Sequence, residues 1–341
     1  MNLAIIGCGA LGSRRAEQLR APESMRMRLV HCVDADLGRA QAAARPHESC
    51  SADGDWRTAL ARRDVEAVII ATPHDALAGI ARAAIEAGKH VLVEKPAARR
   101  ACELRELPAL ASQRGVCVRV GFNHRHHRAF RQARTLVDSG ALGPLMFVRA
   151  RYGHGGRPGY EREWRARPDR AGGGELIDQG VHLIDLSRWF LGEFTEIGGS
   201  IHTYYWDMPV EDNAFLLLKT GAQQAAFLHA SCTEWKNTFC FELYGRAGKL
   251  QIDGLGGSYG TERLTWYRMR PEMGPPDTTV WEYPMADDSW SVELDGFCAD
   301  IEGRRDSSPG LHDAIAALEI VERVYAAAAG PVPREQTATA T

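Results

Sequence analysis

Lysine is scarce in this sequence. Only Lys89, Lys95, Lys219, Lys236 and Lys249 occur among 41 basic residues, so the other 36 are arginine. A GC-rich coding bias explains such an excess, and it makes a lysine retained where arginine is the default worth inspecting. Charge of one sign is also missing. A net charge of −3 gives no electrostatic reason to expect nucleic acid or an anionic membrane as partner. No run approaches the roughly 18 apolar residues of a membrane span. The chain opens directly into an apolar segment without a charged leader or cleavage site, so a cytoplasmic protein is expected. The eight cysteines form no C-x-x-C pair and are irregularly spaced, which speaks against a zinc site and a disulfide framework. They fit thiols buried as small hydrophobes in a reducing compartment. Internal repeats are absent.

What is present is length enough for two cores, since 341 residues exceed one comfortable domain. Over residues 1–121, short apolar runs at 3–6, 27–33, 67–70, 91–93 and 116–120 alternate with helix-like stretches at 10–19, 37–44, 75–87 and 101–114. Continuous apolar strands alternating with helices predict a doubly wound parallel sheet with helices on both faces. Gly88 is placed to close the third of these helices. Beyond Gly121 the texture changes. A helix-like stretch at 129–139 precedes strand candidates of period two. Segments 212–219 and 224–231 flank Thr220-Gly221, and 239–244 and 249–252 flank Gly245–Gly248. Such hairpins build an antiparallel or mixed sheet, which 259–269 and 278–283 extend. Residues 311–328 read as a late helix. The division expected is 1–121, 122–330 and a flexible tail over 331–341.

Gly7-Cys8-Gly9-Ala10-Leu11-Gly12 matches G-x-G-x-x-G. Alone the match is weak in a glycine-rich chain; its place, after the first strand and before a helix, makes it informative. There the glycines permit a tight turn and close approach to a pyrophosphate, and the helix N-terminus offers N–H donors. Asp34 ends the second strand, where a carboxylate accepts hydrogen bonds from the adenosine ribose and repels a 2′-phosphate. NAD is therefore expected, NADP less so; Arg39, Arg14 and Arg15 are the residues that could still meet a phosphate. Asp36 reads as an N-cap.

Glu94-Lys95-Pro96 ends a strand whose carboxyl end faces the cofactor crevice of such a sheet. Pro96 disfavours a helical conformation at Lys95. A lysine there can hydrogen-bond a substrate hydroxyl and stabilise developing alkoxide charge, or it is an ordinary solvated lysine. Three glycines, 172–174, introduce a stretch with apolar residues at 176, 177, 181, 183, 184, 186 and 190. On a helix, Asp178 and His182 are i and i+4 and share a face, with Asp185 on the same side. A carboxylate holding one imidazole nitrogen leaves the other as a base with its pKa raised toward neutrality. The competing reading is a satisfied core histidine. A metal site finds no compact set of further ligands, and none is expected. His124, His126 and His127 fall in an arginine-laced loop that reads as a cofactor- or substrate-facing edge.

Taken together, Gly7–Gly12, Ala71-Thr72-Pro73-His74, Glu94-Lys95-Pro96, Gly121-Phe122-Asn123 and residues 172–185 resemble, in order and spacing, the glucose–fructose oxidoreductase, inositol dehydrogenase and MocA (Gfo/Idh/MocA) family. The resemblance covers nearly the whole chain. It implies a Rossmann domain followed by an α+β domain with a large open, mostly antiparallel sheet that commonly makes a homodimer or homotetramer contact. It further implies Lys95, Asp178 and His182 as catalytic residues, His182 taking the hydroxyl proton with Asp178 orienting it. Gly7, Gly9, Ala10, Leu11, Gly12, Asp34, Thr72, Pro73, His74, Glu94, Lys95 and Asn123 are the implied cofactor contacts. Arg125, Tyr152, His154, Tyr160, Trp164 and Arg165 are expected at the substrate. The segments at 151–160, 163–165 and 254–260 look like a branch that oxidises a secondary ring hydroxyl of a sugar to a keto-sugar. Arg151, Arg157 and Arg165 could meet a nucleotide diphosphate; Glu161, Glu163, Glu175, Glu211 and Asp212 could equally meet a cationic aminoglycoside. An inositol-type polyol dehydrogenase, an NAD-retaining glycosidase and a dinucleotide-binding regulator without turnover are the alternatives.

Overall fold

A computed structural model describes residues 1–20 and 26–328; the tail expected over 331–341 lies outside the described residues. The first part of the chain runs β1 (Asn2–Ile6), α1 (Ala10–Gln18), β2 (Arg28–Val33), α2 (Leu37–Ala44), β3 (Ser51–Asp53), α3 (Arg57–Ala61), β4 (Ala67–Ile70), α4 (His74–Glu86), β5 (His90–Glu94), α5 (Leu107–Arg114) and β6 (Val118–Gly121). The strands form a parallel sheet of order β3-β2-β1-β4-β5-β6. Its inner strands are apolar on both faces because helices cover both, as the continuous runs imply. Asp36 caps α2, accepting from the Gly38 and Arg39 amides at 3.0 and 3.4 Å, and Gly88 takes a left-handed conformation just past α4.

Two departures have local causes. The single helix expected at 101–114 is a 3₁₀ turn at Ala101–Glu103 followed by α5, with Pro108 in its first turn, where proline belongs. β3 and α3 escape a reading by apolar runs because β3 has three partly exposed residues and α3 buries only Ala59.

The remainder runs α6 (Arg128–Asp138), β7 (Leu145–Gly153), α7 (Pro168–Ala171), α8 (Val181–Leu191), β8 (Phe194–His202), β9 (Asn213–Thr220), β10 (Ala225–Ser231), β11 (Thr238–Gly245), β12 (Gly248–Asp253), β13 (Glu262–Arg268), β14 (Asp277–Tyr283), α9 (Ser289–Gly303) and α10 (Leu311–Ala328). These strands make an eight-stranded sheet of order β14-β13-β12-β11-β7-β10-β9-β8. All its pairs are antiparallel except β7 with β10. Both expected hairpins form, with strand ends shifted by about a residue. The segment expected as a strand from 259 begins pairing only at Glu262, and Tyr259 instead faces a cavity.

One face of this sheet packs on α6, α8 and α10. On β7, Val148, Ala150 and Tyr152 point inward, while Phe147, Arg149 and Arg151 point out. The outer face leaves Phe147, Leu217, Phe227 and Val280 exposed beside an Arg149–Glu242–Lys249 ion cluster. Near its end the chain returns to the first sheet. Leu294, Phe297 and Cys298 of α9 join the core under β1 and β2, and Pro309 accepts from the Val120 amide at the β6 edge. Among the described residues no helix is long and apolar enough to cross a membrane. The eight cysteines are free thiols.

Candidate active site

At the carboxyl end of β1 the glycines are dictated by contact. Gly7 has φ +93°, and a Cβ there would lie 2.6 Å from the Ala71 carbonyl oxygen. A Cβ on Gly12 would sit 1.8 Å from the Gly7 carbonyl oxygen, whereas Gly9 faces open space. That pattern suits a turn folded tightly on itself with one side left clear for a phosphate at the start of α1. The Asp34 carboxylate accepts from the Cys8 amide at 2.7 Å and the Asp36 amide at 2.9 Å, so it braces the turn while remaining half-buried. Arg15 is removed from the possible phosphate ligands. It is buried and donates to Glu94 at 2.9 Å and to Glu293 at 2.6 Å, tying α1 to β5 and α9. Arg14 is exposed and pairs with Asp287 at 3.3 Å; exposed Arg39 pairs with Asp36 at 3.4 Å.

Beside the turn opens a cavity of about 510 Å³. Ala10, Leu11, Glu94, Lys95, Asn123, Asp178 and His182 reach it from five separate elements. Lys95 Nζ, at the end of β5, donates to the Asp178 carboxylate at 2.6 Å and to the Asp178 carbonyl at 2.5 Å. Arg165 Nε donates to the other Asp178 oxygen at 3.0 Å. Despite burial, the two cations hold the Asp178 carboxyl well below the usual carboxylate range.

The expected Asp178–His182 hydrogen bond does not form. Residues Leu176–Gly180 make a π-helical turn before α8 begins. The wider turn spoils the i, i+4 alignment that an α-helix would give. His182 Nδ1 is buried without a partner. Burial and the nearby Lys95 ammonium push the imidazole well below its ordinary pKa, the reverse of the expected rise. Asp185 is not on this site either. It receives Arg125 at 2.8 and 2.5 Å, and Arg125 also reaches Asp313 at 2.8 Å. Arg125, expected at the substrate, is therefore a buried structural cation.

Other expectations divide. Tyr152, His154, Tyr160 and Arg165 line the cavity, as does Asn123, whose amide donates to Ser289 Oγ at 3.0 Å. Trp164 stands behind Arg165, its ring 4.6 Å from the guanidinium, and meets the His74 ring at 4.9 Å. His74 is turned to the Ala171 carbonyl at 2.8 Å, with burial lowering its pKa to about 4. Thr72 lies against Gly7 through its backbone; neither Pro73 nor His74 borders the cavity.

The carboxylates considered for a cationic ligand are engaged elsewhere. Glu211 accepts from the Gly174 and Leu176 amides and Tyr325; Asp212 gathers the amides of Tyr204, Tyr205 and Trp206. Glu175 is buried and accepts from Tyr160 Oη at 2.8 Å, Glu163 pairs with Arg157, and Glu161 with Arg162. Arg151 points to the outer sheet face. The glycine run at 172–174 has a packing cause: a Cβ on Gly173 would meet Tyr325 Oη at 1.9 Å, and one on Gly174 the Glu211 carbonyl oxygen at 2.0 Å.

Sequence reasoning passed over Trp290, Asp287 and Gln179, which also line the cavity. Gln179 falls inside the 172–185 segment, but the other two lie on or beside α9, which carried no legible signal. Among the described residues, no group of three or more His, Cys, Asp or Glu side chains is arranged to hold a metal ion.

A parallel sheet with strand order reversing beside a glycine turn, a carboxylate bracing that turn from the end of β2 and a neighbouring Lys–Asp–His floor define an NAD-binding oxidoreductase. The chain belongs to the Gfo/Idh/MocA family. Residues 1–122 match the model of the oxidoreductase family with an NAD-binding Rossmann fold, and residues 130–251 match the Gfo/Idh/MocA C-terminal domain.

Among relatives, a dTDP-3,4-didehydro-2,6-dideoxy-alpha-D-glucose 3-reductase of Streptomyces violaceoruber is 32% identical over 74% of this chain and 72% of its own. Levoglucosan dehydrogenase of Pseudarthrobacter phenanthrenivorans is 30% identical over 62% of this chain, and the matched region spans 56% of that relative's length. In structure, GenD2 from gentamicin A biosynthesis, solved with NAD, superposes with TM-score 0.81 at 27% identity, covering 97% of this chain and 94% of that one. A levoglucosan dehydrogenase complex with NADH shares the fold with TM-score 0.86 at 23% identity, over 96% and 97% of the two chains.

Proposed function

We propose that this protein oxidises a secondary ring hydroxyl of a sugar to a ketone, with His182 as general base and Lys95 as the group that positions the hydroxyl. The observation that carries the reading is the meeting of Lys95 and His182 in one cavity with the phosphate-turn residues Ala10 and Leu11. Bound NAD supplies the hydride acceptor. The protein's share is to hold the hydroxyl oxygen on the Lys95 ammonium and to accept its proton on His182 Nε2, since Nδ1 is buried without a partner. Asp178 acts through Lys95, fixing the ammonium and balancing its charge.

The relatives act, by their names, on levoglucosan and on a dTDP-linked didehydro-dideoxy-glucose. The cavity's own charges favour a neutral or nucleotide-linked sugar over an aminoglycoside. Its carboxylates Glu94, Asp178 and Asp287 are held by Arg15, by Lys95 with Arg165, and by Arg14. An ammonium substituent would have to displace one of these cations. Incubation with NAD and levoglucosan, myo-inositol, dTDP-sugars and aminoglycosides tests the reading. NADH accumulation with one of the ring alcohols supports it. Glycosidic cleavage without NADH, or no turnover of any kind, replaces it with a glycosidase or a non-catalytic regulator.

Asp34→Ala removes the carboxylate at the ribose position and the brace on Cys8. NAD affinity is expected to fall by about tenfold or more, the worth of one or two charge-assisted hydrogen bonds, with NADP affected far less. Fluorescence titration with both dinucleotides measures this, and an unchanged preference removes Asp34 from the ribose. The outer face of the eight-stranded sheet, with Phe147, Leu217 and Phe227 exposed, is the surface we assign to self-association. Light scattering of Phe227→Glu against the parent protein decides it: an unchanged mass rejects that surface.

A further inference from the structure

Spacing assigns Asp178 to hold His182, yet the structure gives Asp178 to Lys95 and Arg165. What touches the His182 ring is aromatic. His124, just past the end of β6, lays its imidazole on that of His182 with ring centres 3.7 Å apart and planes inclined by 28°. Phe122 and Tyr152 meet the same ring edge-on at 6.0 and 6.2 Å. The tautomer of His124 follows from its neighbours. The Asn123 amide nitrogen donates to Ser289, so Asn123 Oδ1 is the atom facing His124 Nδ1 at 3.2 Å. A carbonyl oxygen only accepts, so Nδ1 carries the hydrogen and Nε2 bears a bare lone pair. That Nε2 is buried with no hydrogen-bond partner, and so is His182 Nδ1. Two unpartnered nitrogens thus belong to one stacked pair at the edge of the cavity.

We propose that His124 is the positioning residue of the base: stacked on His182, its neutral ring fixes the plane of that imidazole with Nε2 toward the cavity, and its π-face stabilises the cation formed when His182 takes a proton. The inference rests on the reading of His182 as the general base. The electron-rich face of a neutral ring attracts a cation held against it, which is the service a carboxylate usually gives a catalytic histidine.

The charged and titratable groups around the pair are Lys95 from β5, Asp178 from the π-turn, His127 beside His124, and Tyr152 from β7. His127 is itself held by Glu262 at 2.9 Å. Burial, together with His182, His127 and Lys95, keeps His124 well below the ordinary histidine pKa, and a charge on His182 disfavours a second one on the ring stacked against it. At neutral pH His124 therefore presents a neutral face to His182.

The test compares His124→Leu with His124→Phe in the NAD-saturated protein. It reads kcat, the pH profile of kcat/KM, NAD affinity, and the titration of His182 by NMR of histidine-labelled protein, assigned by the resonance lost in His182→Asn. For His124→Leu we expect kcat to fall about tenfold. The acid limb and the His182 midpoint should move down by about half to one pH unit, the scale of one cation–π contact, with NAD affinity within about twofold. His124→Phe restores an aromatic face and should return both toward the parent values. An unmoved His182 midpoint in His124→Leu overturns the proposal, as does a His124→Phe protein indistinguishable from His124→Leu. If the parent protein oxidises no sugar, the proposed function fails on that result alone, and the NMR midpoints still decide whether the stack acts on His182. Should His124→Leu fail to fold, the His182 midpoint in His124→Gln, which keeps a polar group but no ring, decides in its place.

Discussion

His182→Ala is expected to lower kcat by about 10²- to 10⁴-fold, the range for loss of a general base, while NAD binds as before. The separation follows from geometry. His182 enters the cavity from the start of α8, whereas the turn at Gly7–Gly12 and Asp34 belong to the ends of β1 and β2. Single-turnover NADH formation beside an NAD titration measures both quantities. Near-normal turnover removes His182 from the chemistry, and a parallel loss of NAD affinity makes it a cofactor ligand instead.

The pH profile of the parent enzyme carries the same assignment. Burial and Lys95 depress the His182 imidazole below the ordinary value of 6.5. A base works unprotonated, so activity is retained as pH falls through 6.5 and is lost only further down, where the ring finally charges. An acid limb at or above 6.5 contradicts the environment described for His182.

The second large effect falls on stability. Arg125→Ala strips the cation from Asp185, a carboxylate with 1% exposure, and from Asp313. Removing one partner of a buried pair costs about 3–5 kcal/mol because the remaining charge stays buried uncompensated. Denaturant midpoints should therefore fall steeply, with KM for the sugar almost unchanged in protein that remains folded. The resemblance to the family placed Arg125 at the substrate. A raised KM with an unchanged midpoint would restore it there.

Much of the first sheet is legible in the sequence because each buried parallel strand is an apolar run and α2, α4 and α5 have a cap or a glycine stop. β4 is bounded as its run implies, and so is α10. β7 is not legible, although it is central to the second sheet. Phe147 on its outer face and Tyr152 on its inner face blur the alternation that marks a half-buried strand. At the site, convergence was legible and contact was not. Lys95, Asp178 and His182 do converge, but helical spacing predicted an Asp178–His182 pair that the π-turn removes. Arg15 and Arg125 look in sequence like ligands for phosphate or substrate. Only the fold shows that Glu94 and Glu293, and Asp185 and Asp313, already hold them, because those acids lie far away in the chain.

β7 has a further consequence, for synthesis. Val148 pairs on one side with Ala226 and on the other with Leu243. As the chain leaves the ribosome, β7 therefore emerges with both edges open, one until β10 has followed and the other until β11 has. The hairpin β9–β10 can close locally in that interval and dock on the first edge, which leaves the second without a partner. The nascent protein thus carries a partly apolar strand with one open edge through a long-range closure, the condition under which intermediates of large chains associate wrongly. Crowding on polysomes is therefore a condition in which the open β11 edge of β7 meets other copies of the chain.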